Sequence, residues 1–156
     1  MDAHELFVAP VAHLAPARIL DGLSTEQSET RLAGAPHSIA EIVAHLIFWQ
    51  SWFLERCAGK GTLPPASASL GWPPVNEGGW ERLRSQFIAG LDRALETASD
   101  GTRKIEPPIE FEPLANYTVA DAVTHIAVHN AHHLGQIVTL RQLMGTWPPP
   151  GGGWTW

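Results

Sequence analysis

Four histidines lie within nine positions near the carboxyl end of the chain, in the stretch HIAVHNAHHLGQI at residues 125–137, although the whole chain has only eight. On an α-helix each residue advances by about 100°, so spacing gives angular position. With His125 at zero, His129 falls at about 40° and His133 at about 80°. The apolar face, centred at about 60°, contains Ala122, Ile126, Ile137, Leu140, Leu143 and Met144. The pair His129 and His133 therefore faces the core.

Two imidazoles four residues apart on a helix lie one turn apart and can share one metal ion. An earlier helix supplies a third candidate, His45, at the margin of an apolar face one turn before Trp49. A buried imidazole needs partners for both ring nitrogens, and three inward histidines can meet that need by binding a metal together. The alternative is that these histidines are core residues hydrogen-bonded to backbone or water.

The other histidines and polar residues give weaker signals. We interpret His125 as a structural or rim residue and expect His132 to be exposed. No general base stands out, and His132, Glu41 and Gln136 are candidates by position only. Gln136 is near the pair on the same face, so it could also orient a ligand or a bound water.

Two familiar metal designs are excluded by spacing. Asn130 follows His129, so the HExxH motif of zinc proteases is absent. A di-iron carboxylate bundle needs Glu-x-x-His pairs on two helices, and the sequence has none. A mononuclear site remains.

Capping signals predict the helices that would position these residues. Ser38 stands three residues before Glu41, which predicts a helix start, and that helix should end at Gly59. Thr118 stands three residues before Asp121, and the second helix should run about 26 residues to Gly145. A third helix is predicted from about residue 76 to residue 98.

The remaining segments predict the architecture. Pro10 and Pro16 indicate a broken N-terminal helix whose regular part ends near Gly22. Proline- and glycine-rich connections are expected at residues 62–74 and 101–116. The sequence thus predicts one all-α domain over residues 1–156, a four-helix bundle with two long connections and an extended C-terminal tail.

Apolar side chains in the tail GTWPPPGGGWTW need covering. Its three tryptophans carry too much apolar surface to be left in water. We expect the tail to fold back over the bundle or over a dimer partner, where it could wall the mouth of the metal site. The loop around Trp72 could form the opposite wall, but simple core packing of Trp72 is the favoured alternative.

Composition excludes several classes of function. The formal net charge is −6 with only 10 Lys and Arg, so no basic surface for nucleic acid is expected. Cys57 is the single cysteine, which rules out an intramolecular disulfide and a thiolate zinc site. The sequence has no signal-peptide pattern and no apolar run of membrane-spanning length, so we expect no membrane association and a cytoplasmic location.

The segments HSIAEIVAHLIFW and HNAHHLGQIVTLRQLMGTWPPPGGGWTW resemble the DinB-like family of metal-dependent helical proteins. The resemblance implies a four-helix bundle, often a homodimer, with one divalent ion held by three histidines. Carried over, the ligands fall on His45, His129 and His133, and the ion would be zinc, nickel or iron. Some relatives are transferases or isomerases that use a low-molecular-weight thiol.

Three hypotheses follow. The first is a metal-dependent enzyme acting on a small molecule, as a thiol-dependent transferase or isomerase or through hydrolase-type chemistry. The second is a non-catalytic metal-binding protein of stress response or interaction, in which the ion staples the helices and a fourth protein ligand such as His132 or Glu41 closes the site. The third is a helical dimer without a metal.

Overall fold

The structure, a computed structural model, describes residues 2–7, 13–76 and 79–153, and its regular elements are helices. These residues form no β-strand, and their only β pairing is an isolated bridge between Lys104 and Thr118. Two short 3-10 turns lie in the long connections, at Ala68–Gly71 and Glu112–Leu114. The α-helices are α1 (Ala3–Phe7), α2 (Pro16–Ile19), α3 (Thr25–Glu29), α4 (Ile39–Cys57), α5 (Trp80–Ala98) and α6 (Val119–Leu143). The predicted all-α class is confirmed.

Helices α4 and α6 begin where the capping boxes predict. The Ser38 hydroxyl accepts from the Glu41 amide at 3.2 Å, and the Glu41 carboxylate accepts from the Ser38 amide at 2.7 Å. Thr118 and Asp121 repeat the same exchange at the start of α6. Each box satisfies backbone donors that the first helical turn leaves free, which fixes the register of the helix that carries the histidines.

The N-terminal region departs from the single broken helix that was predicted. Helix α2 ends at Ile19, and the separate helix α3 follows, capped by Ser24. Gly22 lies between them at φ 73°, a conformation that favours glycine and allows the chain to turn. Together α1, α2 and α3 occupy the place of a fourth helix and contact α4, α5 and α6.

The core lies where α4, α5 and α6 meet. Its largest fully buried residues include Leu46, Trp80, Phe87, Ile126 and Ile137. Leu143, which the helical arithmetic places on the apolar face, is instead 71% exposed. It stands at the edge of that face in the last turn of α6, where no described residue covers it. None of the helices in the described residues has the length and apolar character needed to cross a membrane.

The described part of the tail folds back onto the N-terminal helices. Buried Arg141 donates hydrogen bonds to the carbonyls of Ile19, Asp21 and Thr146. Trp147 is half-buried and packs against the core. The described tail lines none of the cavities beside the histidines, so the expectation that it walls the metal mouth is wrong for residues 146–153. Trp154 and Trp156 lie outside the described residues.

Candidate metal centre

Three histidines from two helices meet in the interior. His45 comes from α4, and His129 and His133 come from α6, and one ring nitrogen of each lies within 4.8 Å of the others. The Nε2 atoms of His45 and His129 are 3.2 Å apart. In a tetrahedral zinc site with Zn–N bonds of 2.0–2.1 Å, neighbouring ligand nitrogens are about 3.3 Å apart. The observed separation therefore suits two ligands of one ion.

Hydrogen bonds orient two of the three rings. The Nδ1 atom of His45 donates to the carbonyl of Gly71 at 2.7 Å, and Nδ1 of His133 donates to the side-chain oxygen of Gln136 at 2.7 Å. In a neutral imidazole a proton on Nδ1 leaves Nε2 with a free lone pair. Metal-binding histidines in proteins are commonly fixed by this arrangement.

An aromatic stack holds the His45 ring from one side. The ring centroids of Trp72 and His45 lie 3.8 Å apart at an interplanar angle of 12°, and the His37 ring stacks on Trp72 with centroids 3.6 Å apart. The preceding Gly71 permits this path, since a Cβ at residue 71 would lie 2.7 Å from the indole nitrogen of Trp49. Trp72 therefore packs directly against His45, one of the three candidate metal ligands.

Burial keeps the three imidazoles neutral. It lowers the pKa of His45 to about 4, and it lowers that of His129 to about 3 with the help of the neighbouring histidines. The pKa of His133 is lowered as well, again chiefly by burial. Neutral imidazole is the form that binds a metal, so proton competition at neutral pH is weak.

The other predicted candidates lie outside this cluster. His132 is exposed, as expected, and its ring contacts the Gln136 amide nitrogen at 3.2 Å. The Glu41 carboxylate is taken up by the Ser38 amide and by an ion pair with Arg31. Neither side chain joins the three histidines as a fourth potential ligand within the described residues.

His125 is half-buried and contacts the Tyr117 hydroxyl through Nδ1 at 3.2 Å. Burial lowers its pKa. This environment is consistent with the predicted structural or rim position. The His125 ring also lines a cavity of about 510 Å³, a placement that the sequence did not indicate.

Of the cavities that adjoin the cluster, two are lined mostly by apolar residues. One, of about 510 Å³, lies between α4, α6 and both long connections and is lined by His125 and His129. The other, of about 460 Å³, is lined by His133, His37 and Trp72. Ligand pockets typically measure roughly 300–1,000 Å³, so either could hold a small organic molecule.

Sequence reasoning missed several residues around the site. No spacing pattern in the sequence marks His37, yet it stacks on Trp72. Gln50 and Asn130 are buried polar residues that line the 510 Å³ cavity. On the helical arithmetic Asn130 lies at about 140°, at the margin of the apolar face, and this was the signal available for it.

The fold and the site define an all-helical chain whose two capped helices bring three histidines together in an apolar interior. A family model described as the DinB superfamily matches residues 16–137. The chain therefore belongs to the DinB superfamily. The comparisons with curated proteins and with solved structures gave no match.

Proposed function

We propose that the chain is a metal-dependent enzyme that binds one divalent ion through His45, His129 and His133 and acts on a small molecule in the adjoining cavities. The observation that carries the proposal is the convergence of three neutral imidazoles, one pair of them at ligand-to-ligand distance, on an apolar interior.

The donor set fits such an ion. Three neutral nitrogen ligands suit zinc, nickel or ferrous iron, which favour imidazole over the all-oxygen shells of magnesium and calcium. When bound, the ion would supply a Lewis acid able to polarise a substrate group or activate a water or a thiol. The Gly71 carbonyl and the Gln136 side chain would hold the protons on the Nδ1 atoms of their histidines and keep Nε2 available.

Open coordination distinguishes the enzyme from the structural staple. A structural zinc site is usually closed by four protein ligands, whereas a catalytic site uses three. The described residues offer three, since His132 and Glu41 are engaged elsewhere. This count favours the catalytic hypothesis over the non-catalytic alternative.

The cavity linings favour uncharged substrates. Neither cavity is lined by a lysine or arginine among the described residues, and Glu110 is the single carboxylate. Low-molecular-weight thiols that carry several carboxylates would find no lysine or arginine there to pair with them, and burying an unpaired charge is costly. We therefore favour hydrolase-type chemistry over thiol transfer. His125 lines the 510 Å³ cavity, whereas His132, Glu41 and Gln136 do not, so His125 is the better candidate to exchange a proton with a substrate bound there.

The first test is metal content. Tag-free protein should contain about one equivalent of metal by mass spectrometry, whereas the variants His45→Ala, His129→Ala and His133→Ala should contain almost none. His132→Ala is the matched control, because it removes an exposed imidazole next to the cluster and should leave the metal in place. Circular dichroism verifies that each variant is folded. A folded wild-type protein that takes up no metal on reconstitution would refute the proposal.

The second test asks whether the coordination is open. Azide added to cobalt-loaded protein should change the visible absorption spectrum if an exchangeable position exists. An unchanged spectrum would indicate a fourth protein ligand and support the staple. Homodimerisation and a cytoplasmic location stay predictions, and sedimentation giving a species near 17.0 kDa would reject the dimer.

A further inference from the structure

The 510 Å³ cavity beside the histidines has a mostly apolar lining that also contains two amide side chains. Aromatic and aliphatic side chains line most of it, among them Trp49, Trp52, Phe53, Ile109 and Leu114. Two amide side chains, Gln50 of α4 and Asn130 of α6, line it as well. Such a lining fits a ligand with an apolar body and one polar group.

The two amides are buried, and three of their four polar atoms lack a partner among the described residues. Gln50 is 2% exposed and Asn130 is 4% exposed. The Gln50 nitrogen and both polar atoms of Asn130 make no hydrogen bond with any described residue. An unsatisfied buried polar group typically costs about 1–3 kcal/mol, so native proteins seldom keep three such atoms in the lining of one cavity without a function.

The packing between α4 and α5 holds the Gln50 side chain in place. A Cβ at residue 90 would lie 1.9 Å from the Gln50 side-chain oxygen, so Gly90 provides the space that this amide occupies. Asn130 directly follows His129, which lines the same cavity. Both amides are therefore set by the helices that also supply the candidate metal ligands.

We infer that this cavity binds a neutral carboxamide-bearing ligand with an aromatic or branched aliphatic body, whose amide group pairs with Asn130 and Gln50. An amide offers a donor and an acceptor on one planar group, which is the complement of the Asn130 side chain. Its carbonyl can accept a further bond from the Gln50 nitrogen. A primary carboxamide or a lactam presents both groups on one edge.

Other head groups fit less well. A ketone of the same shape satisfies the donors but leaves the Asn130 oxygen without a partner. A carboxylate has the same fault and also places a buried negative charge in a cavity lined by Glu110 and, among the described residues, by no lysine or arginine. The chemistry done on the ligand rests on the proposed metal function, whereas binding by the two amides does not.

The test uses three probes that share a phenylethyl body. These are 3-phenylpropanamide, its methyl ketone isostere 4-phenylbutan-2-one, and 3-phenylpropanoate, each titrated by ligand-observed NMR against wild-type protein with and without metal. In metal-free protein we expect the amide to bind about tenfold more tightly than the ketone, equivalent to about 1.4 kcal/mol, and the carboxylate to bind weakest. Because binding is also measured on metal-free protein, the test of amide recognition stays valid even if the protein proves to bind no metal.

Variants decide whether the amides are responsible. Asn130→Leu should abolish the preference for amide over ketone and, without ligand, raise the Tm by about 3 °C, because it removes buried polar atoms that lack partners. Gln142→Leu changes an exposed residue of the same helix and should alter neither quantity. Equal affinity of wild-type protein for amide and ketone would mean that solvent satisfies these groups, and would overturn the inference. So would a lower Tm in Asn130→Leu together with an unchanged amide preference.

Discussion

The hydrogen bond between His133 and Gln136 should set the strength of one metal ligand. Gln136→Leu removes the acceptor that lies 2.7 Å from Nδ1 of His133, while the ring itself stays in place. Loss of such a partner typically weakens metal affinity 10- to 100-fold, equivalent to about 1.4–2.7 kcal/mol. Since Gln136 is exposed, the stability of the metal-free protein should change by less than about 0.5 kcal/mol.

A competition titration with a chromophoric chelator at neutral pH measures the zinc affinity of each variant. Gln136→Glu is the matched control, because its carboxylate still accepts from Nδ1 and, being charged, makes the stronger bond. Its affinity should equal or exceed that of the wild type. If Gln136→Leu and Gln136→Glu both bound zinc within twofold of wild type, the reasoning that this contact orients and strengthens the ligand would be refuted.

Three further predictions concern the rest of the chain. Arg141→Met should destabilise the protein by about 3 kcal/mol in urea unfolding, because it leaves one buried and two partly buried carbonyls without their donor; a loss below about 1 kcal/mol would contradict this. Truncation after Gly145 should lower the Tm, because it removes Trp147 and the carbonyls bound by Arg18 and Arg141, and an unchanged Tm would count against the packing described. Cys57 is buried and its pKa is raised by burial, so at pH 8 it should resist a disulfide reagent in the native state and react with one equivalent in denaturant; rapid native reaction would show that the thiol is accessible.

Local signals in the sequence predicted the long helices well. A capping box is complete within four residues, so the starts of α4 and α6 could be derived from Ser38 and Thr118 without knowing the fold. Helical angles likewise depend only on spacing, which is why His129 and His133 could be chosen as the inward pair. Leu143 shows the limit, because the angle gives a face and not what covers it.

Features that depend on the long connections could not be predicted. The bond from His45 to Gly71 joins residues 26 apart in the sequence, and the stack on Trp72 requires the path of the intervening loop. The Gln50 side chain occupies the space left by the missing side chain of Gly90, and this contact depends on how α4 packs against α5. The division of the N-terminal region into three short helices depends on contacts with all three long helices.

The separation of the candidate ligands along the chain has a consequence for biosynthesis. His45 and His129 are 84 residues apart, so a nascent chain that has not yet reached α6 carries only one of the three histidines. A single imidazole holds a divalent ion weakly, and a cluster spread over two helices forms only when those helices have packed. Acquisition of an ion by all three histidines would therefore have to wait until α6 has been synthesised and has packed against α4.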